Sequence, residues 1–292
     1  MKKLLLTGAS GFLGWNICKF PQNEWEIIGT YYQNNVEYPD IKIFQLDLTS
    51  FTAVDTFFEK HSIDAVIHTA ALSQPNKCAS EPALSLNINV NASVYLAQKC
   101  KNLQIPFLFT SSSQVFDGDN PPYKESDAVN PIHIYAKHKH LAEQKILAIY
   151  PRSIIVRMPL MFGQTSAASQ NFLKIWLNKM RRREKLNVFT DEYRMPASGQ
   201  SAADGLFLLL NKSEQGVFHL AGKDRISRAD FAYLMQKVFE LPHANIYPCL
   251  QSSISMKAKR PKDLSFDCSK IIQIGFQSKS IEEELKLLIG KV

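Results

Sequence analysis

Tyr135 and Lys139 stand four residues apart in a segment, Ile134 to Ile149, whose apolar residues recur at helical spacing. On a helix that spacing places both side chains on one face, one turn apart. An ammonium beside a phenol stabilises the phenolate and lowers a pKa of about 10 in water, so the pair could exchange a proton with a carbonyl or an alcohol near neutral pH. Upstream, Ser111, Ser112 and Ser113 follow the apolar run Pro106 to Thr110. A hydroxyl at the carboxyl end of a parallel strand sits where ligands bind in open α/β sheets and could polarise the same oxygen. Serine runs are also ordinary loop sequence, and Tyr and Lys at this spacing are common. A third stretch, earlier in the chain, gives the two their meaning.

That stretch is Lys3 to Cys18, KLLLTGASGFLGWNIC. Leu4, Leu5 and Leu6 form a short apolar run of the kind found in a central parallel strand. Gly8, Gly11 and Gly14 follow at G-x-x-G-x-x-G spacing. Such glycines allow a sharp turn, close approach of a diphosphate to the backbone, and packing of a new helix against the strand, whose N-terminus offers free N–H groups. The expectation is a dinucleotide site built from Gly8, Ser10, Gly11, Phe12, Leu13 and Gly14, with nicotinamide as the hydride carrier.

Further strands are expected at Glu26 to Tyr32, Ile41 to Leu46, Ile63 to His68, Pro106 to Thr110 and Ser153 to Arg157. The second strand ends Thr30, Tyr31, Tyr32, Gln33, without the acid that holds the ribose hydroxyls of NAD and without the arginine that greets the extra phosphate of NADP. NADP is the expected cofactor, with NAD the alternative, and Tyr31 lies at this point. Asp47-Leu48 could meet an adenine amino group; equally, Asp47 with Thr49 and Ser50 could start the next helix. Thr69, Ala70 and Ala71 are small enough for a cofactor to lie close. Pro82 to Cys100 reads as a helix interrupted by Asn87, Asn89 and Asn91, which are poor helix formers, and Asn89 is expected to contact neighbouring loops.

With these motifs in this order, the chain resembles the extended short-chain dehydrogenase/reductase family, most closely its dTDP-4-dehydrorhamnose reductase group. Gly8-Ala9-Ser10-Gly11-Phe12-Leu13-Gly14, Asp47-Leu48, His68-Thr69-Ala70-Ala71, Asn89-Val90, Ser111-Ser112-Ser113 and Tyr135-Ala136-Lys137-His138-Lys139 carry the first likeness. Val115-Phe116-Asp117-Gly118, Val156-Arg157-Met158-Pro159, Gly216 to Gly222, Ser227 to Ala232 and Arg260-Pro261 carry the second. The resemblance implies Ser112 as the catalytic hydroxyl, Tyr135 as acid/base, Lys139 as ribose ligand and pKa modifier, and a cofactor site that takes in Asn89. It also implies reduction of the keto group of a nucleotide-linked sugar. Ser113-Gln114 departs from the Asp-Tyr usual at that point and puts the rhamnose precursor in question as substrate. The same fold serves sugar-nucleotide epimerases. The beta subunit of methionine adenosyltransferase is similar to this group, so a cofactor-binding regulatory subunit is a further expectation.

The expected architecture is α/β: a doubly wound parallel sheet (Rossmann) formed by residues 1–160 and 196–220, with a smaller substrate-binding lobe formed by 161–195 and 221–292. An amphipathic helix through Phe172, Ile175, Trp176 and Met180, a strand near Leu186 to Phe189 and a late helix, Ala202 to Leu210, are expected there. Asn171, Arg194 and Arg260 could meet a diphosphate or sugar, and each could equally be structural.

Composition narrows the classes. Of 292 residues, 45% are hydrophobic and 21% charged, as in globular proteins, and there is no membrane-length apolar segment. Lys2 and Lys3 precede three leucines, but the run meets Gly8 before a signal-peptide core is complete. The five cysteines are odd in number and lack C-x-x-C spacing, as befits reduced thiols in the cytoplasm. A net charge of +7 is concentrated in Lys179 to Lys185 and Lys257 to Lys262, read as a solvated helix face and a basic loop rather than a nucleic-acid surface. His133, His138 and His140 lack a completing carboxylate or cysteine, so they are read as solvated and no metal is expected. A homodimer is compatible with the sequence.

Overall fold

Leu4, Leu5 and Leu6 are fully buried, yet they face two different cores: Leu4 and Leu6 join one cluster and Leu5 the other. Strand side chains alternate sides, so an unbroken apolar run means that both faces of the strand are covered. The same split recurs at Ala65, Ile67 against Val66, at Leu108 against Phe107, Phe109, and at Ile154, Val156 against Ile155. These runs are the central strands of one sheet.

The computed structural model describes every residue except Lys257, so that end of the expected basic loop lies outside the described residues. The sheet has seven strands, β1 (Lys2–Thr7), β2 (Trp25–Tyr31), β3 (Lys42–Gln45), β4 (Ala65–His68), β5 (Phe107–Ser112), β6 (Ile154–Met158) and β7 (Gly216–His219). Their order is β7-β6-β5-β4-β1-β2-β3, and every pairing is parallel. Parallel neighbours need crossovers, here supplied largely by helices α1 (Phe12–Lys19), α2 (Phe51–Lys60), α3 (Ala92–Leu103) and α4 (Ile134–Ile149). Strand order reverses between β1 and β4, which opens a crevice beyond their carboxyl ends.

Two local expectations change. Ser111 and Ser112 continue β5 rather than forming a loop; Ser113–Val115 is a single 3-10 turn in which the Ser112 hydroxyl accepts from the Gln114 N–H. The helix expected from Pro82 to Cys100 is instead an α-helical turn, a π-helical turn over Asn87–Asn91, and then α3. The widened turn falls on the asparagines, and Asn89 is fully buried there.

Beyond β6, α5 (Phe172–Arg181) buries Leu173, Trp176, Leu177 and Met180, while Ile175, expected on the buried stripe, is 43% exposed. The buried set follows i, i+3, i+4, i+7, and Ile175 falls off that stripe. These residues share a third core with Phe162, Phe231, Met235, Ile281 and Leu285. The expected strand Leu186–Phe189 pairs in parallel with Ile246–Cys249. The late helix is α6 (Gly199–Asn211), whose Ala202, Leu206 and Leu210 join the first sheet core. Leu264, Phe266, Ile271 and Phe276 join that core too. Ile226–Ser227 pairs antiparallel with Tyr193–Arg194 and leads into α7 (Arg228–Val238). No helix among the described residues is long and apolar enough to cross a membrane, and Cys18, Cys78, Cys100, Cys249 and Cys268 are all free thiols.

Two histidines are sealed into this frame. His68 at the end of β4 pairs through Nδ1 with Thr7 Oγ1 (2.6 Å) and through Nε2 with Ser93 Oγ (2.9 Å), joining two strands and α3. His219 at the end of β7 donates from Nδ1 to the Tyr123 carbonyl (3.1 Å) and stacks on Phe266. Burial pushes each imidazole down to about 3, against an ordinary 6.5. Between those values the unfolded chain binds protons that the folded chain refuses, so stability falls as pH drops from 6.5 toward 3, by about 1.4 kcal/mol per pH unit per histidine. Urea unfolding measured from pH 7 to 4 should show this loss. His68→Gln should remove close to one proton from the slope; an unchanged slope would contradict the assignment.

Candidate active site

The turn after β1 is fixed by what cannot fit. Gly8 has φ +74°, and a Cβ there would lie 2.8 Å from the Ala70 nitrogen. A Cβ on Gly14 would lie 2.2 Å from the Gly8 carbonyl oxygen. Only glycine permits both the left-handed turn and the approach of α1 to the strand end. Gly11 is the N-cap of α1, and its N–H donates to the Gly8 carbonyl (3.0 Å). The Ala9 N–H donates to the Thr30 carbonyl (2.8 Å), and the Tyr38 hydroxyl donates to the Ala9 carbonyl (2.7 Å). Tyr38 sits in the loop between β2 and β3 and no local motif marks it; its role emerges only when the strands are side by side.

Gly8, Ser10, Gly11, Phe12, Leu13 and Gly14 form one end of a cleft of about 880 Å³. Tyr31, Asp47, Leu48, Thr69, Ala70 and Ala71 line it as well, as do Tyr32, Gln33 and Asn34 beside Tyr31. Asp47 Oδ1 accepts from the Thr49 N–H (2.9 Å) and hydroxyl (2.7 Å), closing the turn before α2. The Thr69 hydroxyl donates to the Thr7 carbonyl (2.7 Å). Asn89, expected at the cofactor, lies behind the cleft wall: its Oδ1 accepts from the Leu72 N–H (2.9 Å) and its Nδ2 donates to the Leu72 carbonyl (3.1 Å) and Ser85 Oγ (3.1 Å). Its contact is with the loop that borders the cleft, as its position among poor helix formers implied.

Ser112, Tyr135 and Lys139 come together at the other end of the cleft. The hydroxyl of Ser112 accepts from the Gln114 N–H (3.2 Å). Tyr135 and Lys139 are 7% and 2% exposed, and the Lys139 ammonium stands 4.0 Å above the centre of the Phe109 ring. Burial pushes the Tyr135 phenol up to about 12, with Ser112 acting in the opposite direction, and burial pushes Lys139 down to about 7, opposed by Glu143. The expected lowering of the phenol is not seen in the protein itself, where burial is the largest influence on Tyr135. A phenol that keeps its proton is the acid form, suited to protonating an alkoxide.

The three substrate candidates separate. Asn171 caps α5, accepting from the Lys174 N–H (3.0 Å) and donating to the Gly163 carbonyl (2.7 Å). Arg194 donates to the carbonyls of Tyr193 (2.6 Å), Pro261 (3.0 Å) and Lys262 (3.2 Å) and pairs with Glu192 (3.3 Å). Both border the cleft with their polar atoms already engaged in the protein. Arg260 also borders it, and its buried Nη1 has no partner. Arg228, missed in the sequence, pairs with Glu192 and lies on the rings of Phe172 and Trp176.

The histidines are not solvated as a set. His133 is buried, and its Nδ1 accepts from the Ala136 N–H (3.2 Å) to cap the helix that carries Tyr135. His138 pairs with Ser85 Oγ (2.8 Å). Histidine can cap a helix much as asparagine does, which the composition of the segment did not reveal. Among the described residues no cluster of His, Cys, Asp and Glu could hold a metal.

Lys139 generates a further expectation. Its folded value lies below its ordinary 10.5, so the unfolded chain holds the extra proton between about pH 7 and 10.5, and stability rises with pH across that window. Lys139→Met should therefore be more stable than the parent at pH 7, by more than about 1 kcal/mol, with the gain shrinking toward pH 10. Urea unfolding of both proteins at the two pH values checks this; a gain that does not depend on pH would show that packing, not charge, is responsible.

With this geometry in view, comparison with known proteins is informative. The model for the RmlD substrate binding domain matches residues 1–292. Methionine adenosyltransferase 2 subunit beta of Bos taurus is 28% identical over 281 residues, covering 94% of this chain and 83% of the relative. Among solved structures, a dTDP-4-dehydrorhamnose reductase of Clostridium acetobutylicum superposes with a TM-score of 0.85 at 27% identity, covering 99% of this chain and 98% of that chain. A dTDP-4-dehydrorhamnose reductase of Bacillus anthracis, solved in complex with NADP, superposes with a TM-score of 0.87 at 24% identity and shares the fold over 100% of both chains. The chain belongs to the RmlD substrate binding domain family, within the extended short-chain dehydrogenase/reductases.

Proposed function

We propose that the protein is an NADP-dependent reductase of a keto group on a nucleotide-linked sugar. The observation that carries this reading is that Ser112, Tyr135 and Lys139 share one cleft with the glycine turn of Gly8, Gly11 and Gly14. The glycine turn is open where any Cβ would collide, which fits a diphosphate against the backbone and the first N–H groups of α1. Tyr31, Asp47, Leu48 and Thr69 to Ala71 would hold the adenosine and ribose portions, and Lys139 the nicotinamide ribose. The absence of an acid at the end of β2 suits NADP, with NAD the alternative.

Bound NADPH would supply a hydride to the carbonyl carbon. The Ser112 hydroxyl donates to the carbonyl oxygen and increases the positive character of its carbon. As charge develops on that oxygen, Tyr135 releases its proton to it; the nearby Lys139 ammonium stabilises the phenolate that remains. The likeness to dTDP-4-dehydrorhamnose reductases favours a sugar nucleotide held in this cleft, with Arg260 as its cationic contact.

A second reading, a cofactor-binding regulatory subunit without turnover, is supported by the identity to methionine adenosyltransferase 2 subunit beta. Nicotinamide absorbance followed with NADPH and NADH against a panel of nucleotide 4-keto-6-deoxy sugars separates the two. Turnover should appear and fall about 100- to 10,000-fold in Tyr135→Phe, cofactor affinity being retained. Cofactor binding without turnover on any sugar, together with a protein partner recovered in pull-downs, would favour the regulatory reading. Gly14→Val should weaken NADPH binding at least tenfold, as measured by fluorescence titration, because its side chain must displace the Gly8 carbonyl.

A further inference from the structure

Gln114 lines the cleft two residues beyond Ser112, and its Oε1 is buried without a hydrogen-bond partner. Its place is tightly set. Its own N–H is bonded to the Ser112 hydroxyl (3.2 Å), it lies in the 3-10 turn Ser113–Val115, and the next two residues, Val115 and Phe116, are fully buried. The amide therefore lines the cleft from an anchored backbone, two residues from the hydroxyl that would polarise the carbonyl.

A buried carbonyl oxygen without a donor is costly, and native proteins leave few of them. Arg260 Nη1 borders the same cleft and also lacks a partner. Elsewhere polar groups at this cleft are closed internally, as Asn171 and Arg194 are. At Gln114 the open group is an acceptor, and it lines the space a ligand would fill.

We infer that Gln114 determines substrate specificity, its amide oxygen accepting a hydrogen bond from a hydroxyl or N–H group carried by the same sugar ring as the carbonyl. This rests on the reductase reading of the cleft. In a 4-keto-6-deoxy ring, carbon 5 carries only a methyl group, so the donor belongs on carbon 3 or carbon 2. A ring with hydrogen at that carbon leaves the oxygen unpaired. The difference between such a pair should be about 10- to 100-fold in kcat/KM.

The test uses nucleotide-linked 4-keto-6-deoxy sugars in matched pairs, with a hydroxyl or with hydrogen at carbon 3, and likewise at carbon 2. Each pair is compared in the parent and in Gln114→Leu, which keeps the side-chain bulk and removes the acceptor; thermal melting verifies that the variant is folded. The parent should prefer the hydroxylated member of one pair by 10- to 100-fold, and Gln114→Leu should bring that ratio to within about threefold of unity. Ratios unchanged by the substitution at both carbons would overturn the inference while turnover itself upholds the reductase reading. Where the parent binds the sugars without turning them over, the reductase reading fails, and the same pairs compared by calorimetry still decide whether Gln114 reads the ring. Binding of none of them would overturn both.

Discussion

The helix that carries Tyr135 is held against the sheet by a buried ion pair. Arg157, in β6, donates from Nη2 (3.0 Å) and Nε (3.2 Å) to Glu143, two turns along α4 from Tyr135, and both side chains are nearly sealed from solvent. Arg157 also reaches His219 Nε2 (3.3 Å) in β7, and the guanidinium lies over Phe116. A buried pair of this kind stabilises little in net terms, because both ions give up their hydration. What it provides is position: an unpaired charge at either end would be severely costly, so α4 has one favourable placement on the sheet. That placement puts Lys139 over Phe109 and Tyr135 at the cleft.

From this constraint the site acquires its electrostatic character. Glu143 is the only carboxylate on α4 close below Lys139, and it is committed to Arg157, so the ammonium stands over an aromatic face instead of beside a counter-ion. Tyr135 and Lys139 are both buried, and burial biases both toward neutrality. Low dielectric makes each interaction with a developing charge larger than it would be in water. The same burial makes the unfolding free energy sensitive to pH, so one arrangement links the chemistry to the stability of the fold.

The opposite end of the cleft follows another logic. There the backbone, not charged side chains, is the binding surface, and steric exclusion of any Cβ at Gly8 and Gly14 maintains it. His68 and Thr7 tie β1 to β4 at the point where strand order reverses, and Tyr38 and Asn89 hold the flanking loops from behind. These residues touch no expected ligand. They determine how far apart the walls stand.

Sequence alone was sufficient for the repeating elements and for the residues whose chemistry is local. Apolar runs bounded by turns located all of the first six strands; the central ones are continuously apolar because both of their faces are buried, whereas β3, at the sheet edge, is only half-buried. The spacing of Gly8, Gly11 and Gly14 and of Tyr135 and Lys139 was legible because turn and helix geometry act over a few residues. Tertiary structure decided everything that depends on a partner far along the chain: that Asn89 supports Leu72 from behind the wall, that Asn171 and Arg194 spend their donors and acceptors on the protein, that His133 is buried as a cap, and that Ile175 faces outward. It also decided the balance at Tyr135, where burial in the packed protein raises the phenol. Burial and long-range pairing are properties of the packed whole, and no short stretch of residues encodes them by itself.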